Sequence, residues 1–68
     1  QIYPNPSSNY VTVFSGSYVP QQVRIYDITG KLIMNEEIIL EKQIDISQLR
    51  PGIYIAQIKG ETAKIIKY

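Results

Sequence analysis

Three glutamates that lie close together, Glu36, Glu37 and Glu41, are the side chains of this sequence best suited to catalysis. Paired carboxylates hydrolyse glycosidic bonds when one donates a proton and the other acts as base or nucleophile. These three fall in and beside a predicted strand, however, where charged side chains commonly prevent a sheet edge from pairing with another chain. The sequence also contains no histidine, the side chain that most often transfers protons in enzymes. We therefore interpret the glutamates as solvated edge charges and do not predict an enzyme.

The other candidates for metal or nucleophilic chemistry are also weak. Without cysteine or histidine the chain forms neither a disulfide nor a zinc site built from those ligands. Asp27 and Asp45 lack the clustered carboxylates that calcium requires. The serines have no activating base and lie in turn-rich segments, where hydroxyl groups bond the backbone; they are Ser7, Ser8, Ser15, Ser17 and Ser47. We predict no cofactor and no metal site.

The charge balance argues against nucleic acid as a partner. The net charge is only +1, whereas a nucleic-acid surface shows a marked basic excess. We accordingly interpret the six tyrosines as core or strand-face residues and not as rings that stack on bases or sugars. No apolar run is long enough to cross a bilayer, and no signal peptide is present, so direct membrane insertion is not expected. The opening QIYPNPSSN is typical of a linker, which favours one module of a longer protein.

Beta-branched and aromatic residues occur in short runs separated by turn residues, a pattern that favours strands over helices. A parallel sheet would need crossover helices, for which the chain has no room. The sequence therefore predicts a sandwich or small barrel of about six to seven mainly antiparallel strands. We place a hairpin turn at DITG (27–30) and a bulge or register change within MNEEI (34–38). The predicted runs are 2–3, 10–14, 22–28, 31–39, 43–46, 52–59 and 62–68.

Tyr54 follows the turn residues Pro51 and Gly52 and shares a strand face with Ala56 and Ile58. Its ring is expected to fill one end of the core, with its hydroxyl reaching back to a carbonyl of the turn. This is the arrangement of the tyrosine corner in immunoglobulin-like sandwiches.

Residues 59–68 contain Lys59, Lys64 and Lys67 against one acid, Glu61. We expect a final strand that is apolar on one face and basic on the other. Such a strand is often only a solvated outer strand, but at a sheet edge it can also be presented to a receptor by strand addition.

Four motifs in fixed order carry a resemblance to a known family. They are IYPNPSSNYVTV (2–13), VRIYDITGKLI (23–33), IDISQLRPGIYIAQI (44–58) and the terminal KIIKY (64–68). Together they resemble the type A C-terminal sorting domain of the type IX secretion system of the Bacteroidetes. The resemblance covers nearly the whole chain and implies one immunoglobulin-like antiparallel β-sandwich domain over residues 1–68.

The resemblance implies transport and not catalysis. Such modules direct a covalently linked N-terminal cargo through the periplasm and the outer membrane to the cell surface or the medium. The implied partners are the outer-membrane translocon and a sortase-like surface peptidase that removes the module, after which the cargo is attached to the surface. The cleavage site is expected upstream of these residues.

The family motifs fall on defined positions of this chain. The implied sorting signal comprises Lys59, Gly60, Lys64, Ile65, Ile66 and Lys67. The motif residues with structural roles are Tyr3, Pro4, Asn5, Pro6, Gly30, Lys31, Pro51, Gly52 and Tyr54. The chain departs from the pattern in ending at Tyr68, where many relatives end at or just past a lysine.

Two other functions stay open on the sequence. A carbohydrate- or protein-binding sandwich appended to a secreted enzyme would present an aromatic patch on one sheet face. A passive spacer would be followed by further chain. Weak self-association through sheet edges is also expected of a small sandwich.

Overall fold

The computed structural model describes residues 2–3 and 8–68, and the described part contains strands and turns but no helix. The strands are β1 (Ile2–Tyr3), β2 (Tyr10–Phe14), β3 (Gln21–Tyr26), β4 (Leu32–Ile38), β5 (Glu41–Asp45), β6 (Gly52–Ile58) and β7 (Glu61–Lys67). Every strand pair is antiparallel, as predicted.

The strands form two sheets that face each other. One sheet has three strands in the order β1-β2-β5, and the other has four in the order β4-β3-β6-β7. The shortest dimension of the molecule is 16 Å, which accommodates two layers packed about 10 Å apart. The predicted all-β sandwich is confirmed, and the small-barrel alternative is not what the chain forms.

The core lies between the sheets and is built from alternate strand residues. Each strand contributes every second side chain, because successive side chains point to opposite faces of a sheet. The buried apolar residues are Val11, Val13, Val23, Ile25, Ile38, Ile44, Ile46, Tyr54, Ala56 and Ile65. Beta-branched residues dominate this set, which is why local preference and packing agree here.

The hairpin between β3 and β4 turns at the predicted residues. One carboxylate oxygen of Asp27 accepts hydrogen bonds from the Thr29 hydroxyl at 2.6 Å, the Thr29 N–H at 2.9 Å and the Lys31 N–H at 3.0 Å. Gly30 has φ of 88°, which a glycine adopts without strain. Strand β3 ends at Tyr26 and not at Ile28, which lies in the turn with 77% of its surface exposed.

The irregularity predicted within residues 34–38 lies one position earlier. Ile25 pairs with Met34 and Tyr26 pairs with Leu32, so that Ile33 is the extra residue of a bulge. Pairing is regular from Met34 to Ile38, and the prediction was wrong in its position. Because of the bulge, the consecutive residues Ile33 and Met34 can both pack against the core, whereas neighbours in a regular strand point to opposite faces.

The chain crosses between the sheets at residues 39–40. Leu40, at φ 64°, accepts hydrogen bonds from the N–H groups of Ser15 and Gly16 and donates its own N–H to the Ser17 carbonyl. These bonds fix the crossing to the loop that follows β2.

A salt bridge of 3.0 Å between Glu36 and Lys42 joins the edge strands β4 and β5. Both residues are on the inward side of their strands, since they pair with the buried Val23 and Val13. Charged side chains that point inward on edge strands agree with our interpretation of Glu36 as an edge charge.

Candidate functional site

Tyr54 anchors the entry to the last two strands. Its hydroxyl donates a 2.6 Å hydrogen bond to the Arg50 carbonyl, four residues upstream, and only 8% of the residue is exposed. The ring packs in the core cluster beside Ala56 and Ile65. The predicted tyrosine corner is therefore present: it fixes the turn at Pro51 and Gly52 and thereby the direction of β6.

Strands β6 and β7 form a hairpin with a two-residue turn, Lys59 and Gly60. The pair Ile58 and Glu61 closes the turn, and both central residues have positive φ, 53° for Lys59 and 77° for Gly60. This is the type I′ geometry that matches the twist of paired strands. A lysine at positive φ is strained, because only glycine, asparagine and aspartate adopt this region readily. The turn therefore presents the exposed Lys59 at the tip of the hairpin.

The two terminal lysines lie on opposite faces of β7, contrary to the predicted split into an apolar and a basic face. Lys64 pairs with Ile55 on the outer side, whereas Lys67 is on the inward side with the buried Ile65. Side chains alternate between the two faces of a strand, so residues three positions apart point to opposite faces. The sequence spacing of the two lysines therefore already indicated this arrangement.

Lys67 is largely buried, with 8% of its surface exposed. Its ammonium group donates a 2.9 Å hydrogen bond to the Tyr68 carbonyl. Long lysine side chains commonly bury the aliphatic stem while the charged end finds a polar partner. Ile65 is fully buried, so in this fold neither side chain is exposed as Lys64 is.

The outer side of the four-stranded sheet carries an apolar and basic surface, which we call the hairpin face. It comprises Ile53, Ile55, Lys64 and Ile66 of the terminal hairpin together with Tyr26 and Leu32 of the adjoining strands. The register brings them together, since Tyr26 pairs with both Leu32 and Ile55, and Ile53 pairs with Ile66. Ile53 and Leu32 are nearly half exposed. The contributions of Tyr26, Leu32, Ile53 and Ile55 cannot be predicted from local pattern, because they depend on which strands become neighbours.

Of the predicted sorting residues, the hairpin face contains Lys64 and Ile66, and Lys59 and Gly60 form the turn at its end. Among the motif residues, Gly30 and Lys31 lie in the β3–β4 turn, far from the terminal hairpin in sequence, and Tyr3 lies in β1 of the opposite sheet. Pro4, Asn5 and Pro6 lie outside the described residues. Their roles stay predictions.

The three glutamates do not converge on a catalytic arrangement. Glu36 is on the inward side of β4 and bonds Lys42, Glu37 is on the outer side, and Glu41 lies in β5 with the Tyr3 hydroxyl 3.4 Å away. In the described residues no group of three or more His, Cys, Asp or Glu side chains is placed to bind a metal ion.

Asp27 and Asp45, which the sequence does not predict to bind calcium, both stabilise turns. The hydroxyl of Thr29 is the main cause that lowers the pKa of Asp27, with the Lys31 N–H adding to it. The pKa of Asp45 is lowered by hydrogen bonds from the side chain and the backbone of Ser47. Ionised carboxylates that accept several donors explain both shifts without a bound cation.

An aromatic patch lies on the outer side of the three-stranded sheet, as the binding-module alternative predicts. Tyr3, Tyr10 and Phe14 are each 40% to 43% exposed there.

Within residues 2–3 and 8–68 there is no helix that could cross a membrane.

Comparison with known proteins assigns the whole chain to one family description. The sequence model described as "Secretion system C-terminal sorting domain" matches residues 1–68. Beta-agarase D of Zobellia galactanivorans is 31% identical over 67 residues, which are 98% of this chain. The chain spans only 13% of that relative. No solved structure matches the chain significantly.

Proposed function

The chain belongs to the family of secretion system C-terminal sorting domains, and on this premise we propose that the type IX machinery recognises it through the hairpin face and the Lys59–Gly60 turn. The domain acts as a non-catalytic sorting signal for a cargo joined to its N-terminus. Recognition follows from side chains that the two terminal strands hold in fixed positions.

The anchoring of the terminal hairpin supports this proposal. The Tyr54 hydroxyl fixes the turn that precedes β6, and β7 pairs with β6 along its whole length, from Gly52 with Lys67 to Ile58 with Glu61. A receptor therefore meets a preformed surface and does not have to order a flexible tail, which would weaken binding.

The chemistry of the hairpin face supports a partner with an apolar surface and acidic groups at its rim. Ile53 and Ile66 form a cross-strand apolar pair, and Lys64 lies beside them opposite Ile55. Apolar contact supplies affinity, and an exposed lysine at the rim selects for complementary charge. Strand addition at the edge of β7 stays a separate prediction.

Ile65 and Lys67 contribute in a different way from the outward residues. Because both point inward and are buried, they keep β7 packed on the sandwich. Their substitution is expected to affect sorting through loss of the folded hairpin and not through a lost receptor contact.

Later steps follow from the family and belong to the same proposal. We infer that the cargo crosses the periplasm and outer membrane, that a sortase-like peptidase removes the domain, and that the cargo is attached to the surface or released. Cleavage is expected N-terminal to β1, because Ile2 and Tyr3 pair with Val13 and Thr12 inside the sandwich. The similarity to an agarase segment suggests an exported enzyme as the cargo.

Export of a fused reporter in a host with a type IX system tests the proposal. The matched variants are Lys64→Gln on the hairpin face and Lys31→Gln in the β3–β4 turn, since both neutralise an exposed lysine. We expect Lys64→Gln to reduce the surface or secreted fraction and Lys31→Gln to leave it unchanged. Equal export from both variants and the wild type would refute a role for the Lys64 charge.

Deletion of residues 59–68 is a coarser test. It should abolish sorting, but it also removes the buried Ile65 and the pairing partner of β6, so that folding and recognition are lost together. Sorting that survives this deletion would show that the terminal hairpin is not the signal.

Weak self-association through the sheet edges also stays a prediction. The Glu36–Lys42 pair places charge at one pair of edges, which opposes such contact there. Sedimentation that shows only monomer at rising concentration would remove the prediction.

A further inference from the structure

The outer side of the three-stranded sheet presents three aromatic rings on one surface, which we call the aromatic face. Tyr10, Thr12 and Phe14 alternate with the buried Val11 and Val13, and therefore point outward. Tyr3 pairs with Thr12, which places it on the same side. Because residues i and i+4 of a strand are about 13–14 Å apart, Tyr10 and Phe14 define a row as long as a short oligosaccharide.

The ring of Tyr3 crosses the sheet surface. Strands β1 and β5 lie on opposite sides of β2, yet the Tyr3 hydroxyl is 3.4 Å from a carboxylate oxygen of Glu41 in β5. Two strand spacings separate these strands, about 10 Å, so the two side chains must extend toward each other over β2. The Tyr3 ring thus lies along the surface next to Thr12 and does not project away from it.

A row of oxygen acceptors runs beside the aromatic residues. In β5, Glu41 pairs with Phe14, Gln43 with Thr12, and Asp45 with Tyr10. The described side chains of this face include the two carboxylates and no cation.

A hollow of about 360 Å³ adjoins Tyr10 at one end of the face, with Asn9, Gln43, Asp45 and Ser47 as its other lining residues. Asp45 is held in place there, since it accepts a 2.8 Å hydrogen bond from the Ser47 N–H. Tyr10 therefore sits between the other two rings of the aromatic face and a hollow lined by polar side chains.

We propose that the aromatic face binds an uncharged, hydroxyl-rich polysaccharide, with Tyr10 as the principal stacking ring. The apolar C–H side of a sugar ring packs on an aromatic face, while its hydroxyl groups donate to carboxylate and amide oxygens at the ring's edge. Both elements are present here in parallel rows.

The charge of the aromatic face disfavours the other classes of partner. Two carboxylates without a cation repel phosphate and polyanionic chains. Aspartate and glutamate are also depleted from the centres of protein–protein interfaces, because their desolvation is costly. A neutral sugar needs no cation, and its hydroxyl groups use the acceptors that a protein partner would leave unpaired.

This binding is independent of the sorting function. The aromatic face belongs to the sheet β1-β2-β5, and the hairpin face belongs to the opposite sheet. One face can therefore be occupied while the machinery contacts the other, and variants of each face can be tested separately.

Titration of the isotope-labelled 68-residue chain by NMR tests the proposal. The probes are soluble oligosaccharides derived from a neutral glucan, a neutral galactan and a neutral mannan, with a polyuronate oligosaccharide as the charged comparison. We expect saturable shifts of β2 and β5 resonances with at least one neutral probe. Tyr10→Ala should weaken that binding about tenfold, as expected for loss of a stacked ring.

Two further variants distinguish stacking on the Tyr10 ring from an effect on folding and from nonspecific binding to exposed tyrosines. Tyr10→Phe keeps the ring and should bind nearly as the wild type does. Tyr18→Ala removes a loop tyrosine that is 79% exposed but lies outside the aromatic face, and should have no effect. Tyr10→Ala should remain folded with a melting temperature lowered by about 4–8 °C, because a strand residue that is 43% exposed contributes about 1 kcal/mol.

The proposal is overturned if no neutral probe shifts the β2 and β5 resonances, or if the polyuronate binds as tightly. It also fails if Tyr10→Ala binds as the wild type does, or if Tyr18→Ala weakens binding equally. Broadening of these resonances with protein concentration alone would assign the face to contact between copies of the chain and likewise refute the proposal.

Discussion

The Tyr54→Phe substitution tests the anchor of the terminal hairpin with the smallest change. It removes only the hydroxyl that donates to the Arg50 carbonyl at 2.6 Å, a short distance for an O–H···O bond. A hydrogen bond of this kind contributes about 0.5–1.5 kcal/mol to folding. For a domain of this size each 1 kcal/mol lowers the melting temperature by about 4–8 °C. We therefore expect a fall of roughly 2–12 °C.

The larger Tyr54→Ala change is less informative. Removal of the buried ring is expected to cost about 3–5 kcal/mol. At roughly 0.05–0.15 kcal/mol per residue, the whole chain has only about 3–10 kcal/mol of stability. The alanine variant therefore risks complete unfolding, whereas the phenylalanine variant stays folded and measures the corner itself.

Tyr26→Phe is the matched control. It removes the same group from a tyrosine on the outer side of β3, whose hydroxyl lies 3.4 Å from the Gln57 amide oxygen. So long a contact should contribute little, and the melting temperature should change by less than about 4 °C. Thermal unfolding followed by far-ultraviolet circular dichroism measures both variants. Equal melting temperatures for Tyr54→Phe, Tyr26→Phe and the wild type would refute the anchoring role of the corner.

Three further predictions follow from the turns and the sheet edges. Lys59→Asn should stabilise the fold by about 1 kcal/mol, because asparagine tolerates the positive φ that strains lysine; an unchanged or lower melting temperature would contradict the type I′ turn. The folded pKa of Asp27 lies below its ordinary value of 3.8. Its stabilising effect is therefore complete above pH 3.8 and is lost as the pH falls through the folded pKa. Asp27→Asn should accordingly weaken the fall of the melting temperature at acid pH. If the melting temperature of this variant falls with pH as steeply as that of the wild type, Asp27 is not a cause of the acid dependence. A double-mutant cycle on Glu36 and Lys42 should give a coupling below about 1 kcal/mol, since both side chains are partly exposed; a coupling above about 2 kcal/mol would contradict that.

Local sequence patterns predicted much of the fold. Alternation of apolar residues placed the strands within one or two residues of their observed ends, and the DITG turn followed from Asp27 and Gly30. The Tyr54 corner could be predicted because its partner, Arg50, lies only four residues away. Each of these features depends on interactions between near neighbours in the sequence.

Which residues share each sheet face could not be predicted, because this depends on long-range pairing. The hairpin face exists because β3 lies between β4 and β6, and the aromatic face exists because β2 lies between β1 and β5. The contact of Tyr3 with Glu41 spans 38 residues, and no local pattern specifies it. The inward position of Lys67 is different: the parity of its strand position would have indicated it, but its charge suggested an exposed residue.

The most direct test of the sorting surface separates surface chemistry from stability in one export assay. An Ile53→Thr and Ile66→Thr double variant makes the outer cross-strand pair polar while keeping β-branched residues that favour strands. Tyr54→Phe lowers stability but leaves the outward side chains unchanged. At a temperature where both variants are folded, we expect the threonine variant to lose most of the surface or secreted reporter and Tyr54→Phe to retain it. If the amount of exported reporter depends only on the melting temperature of each variant and not on the side chains of the hairpin face, the proposed sorting surface is wrong.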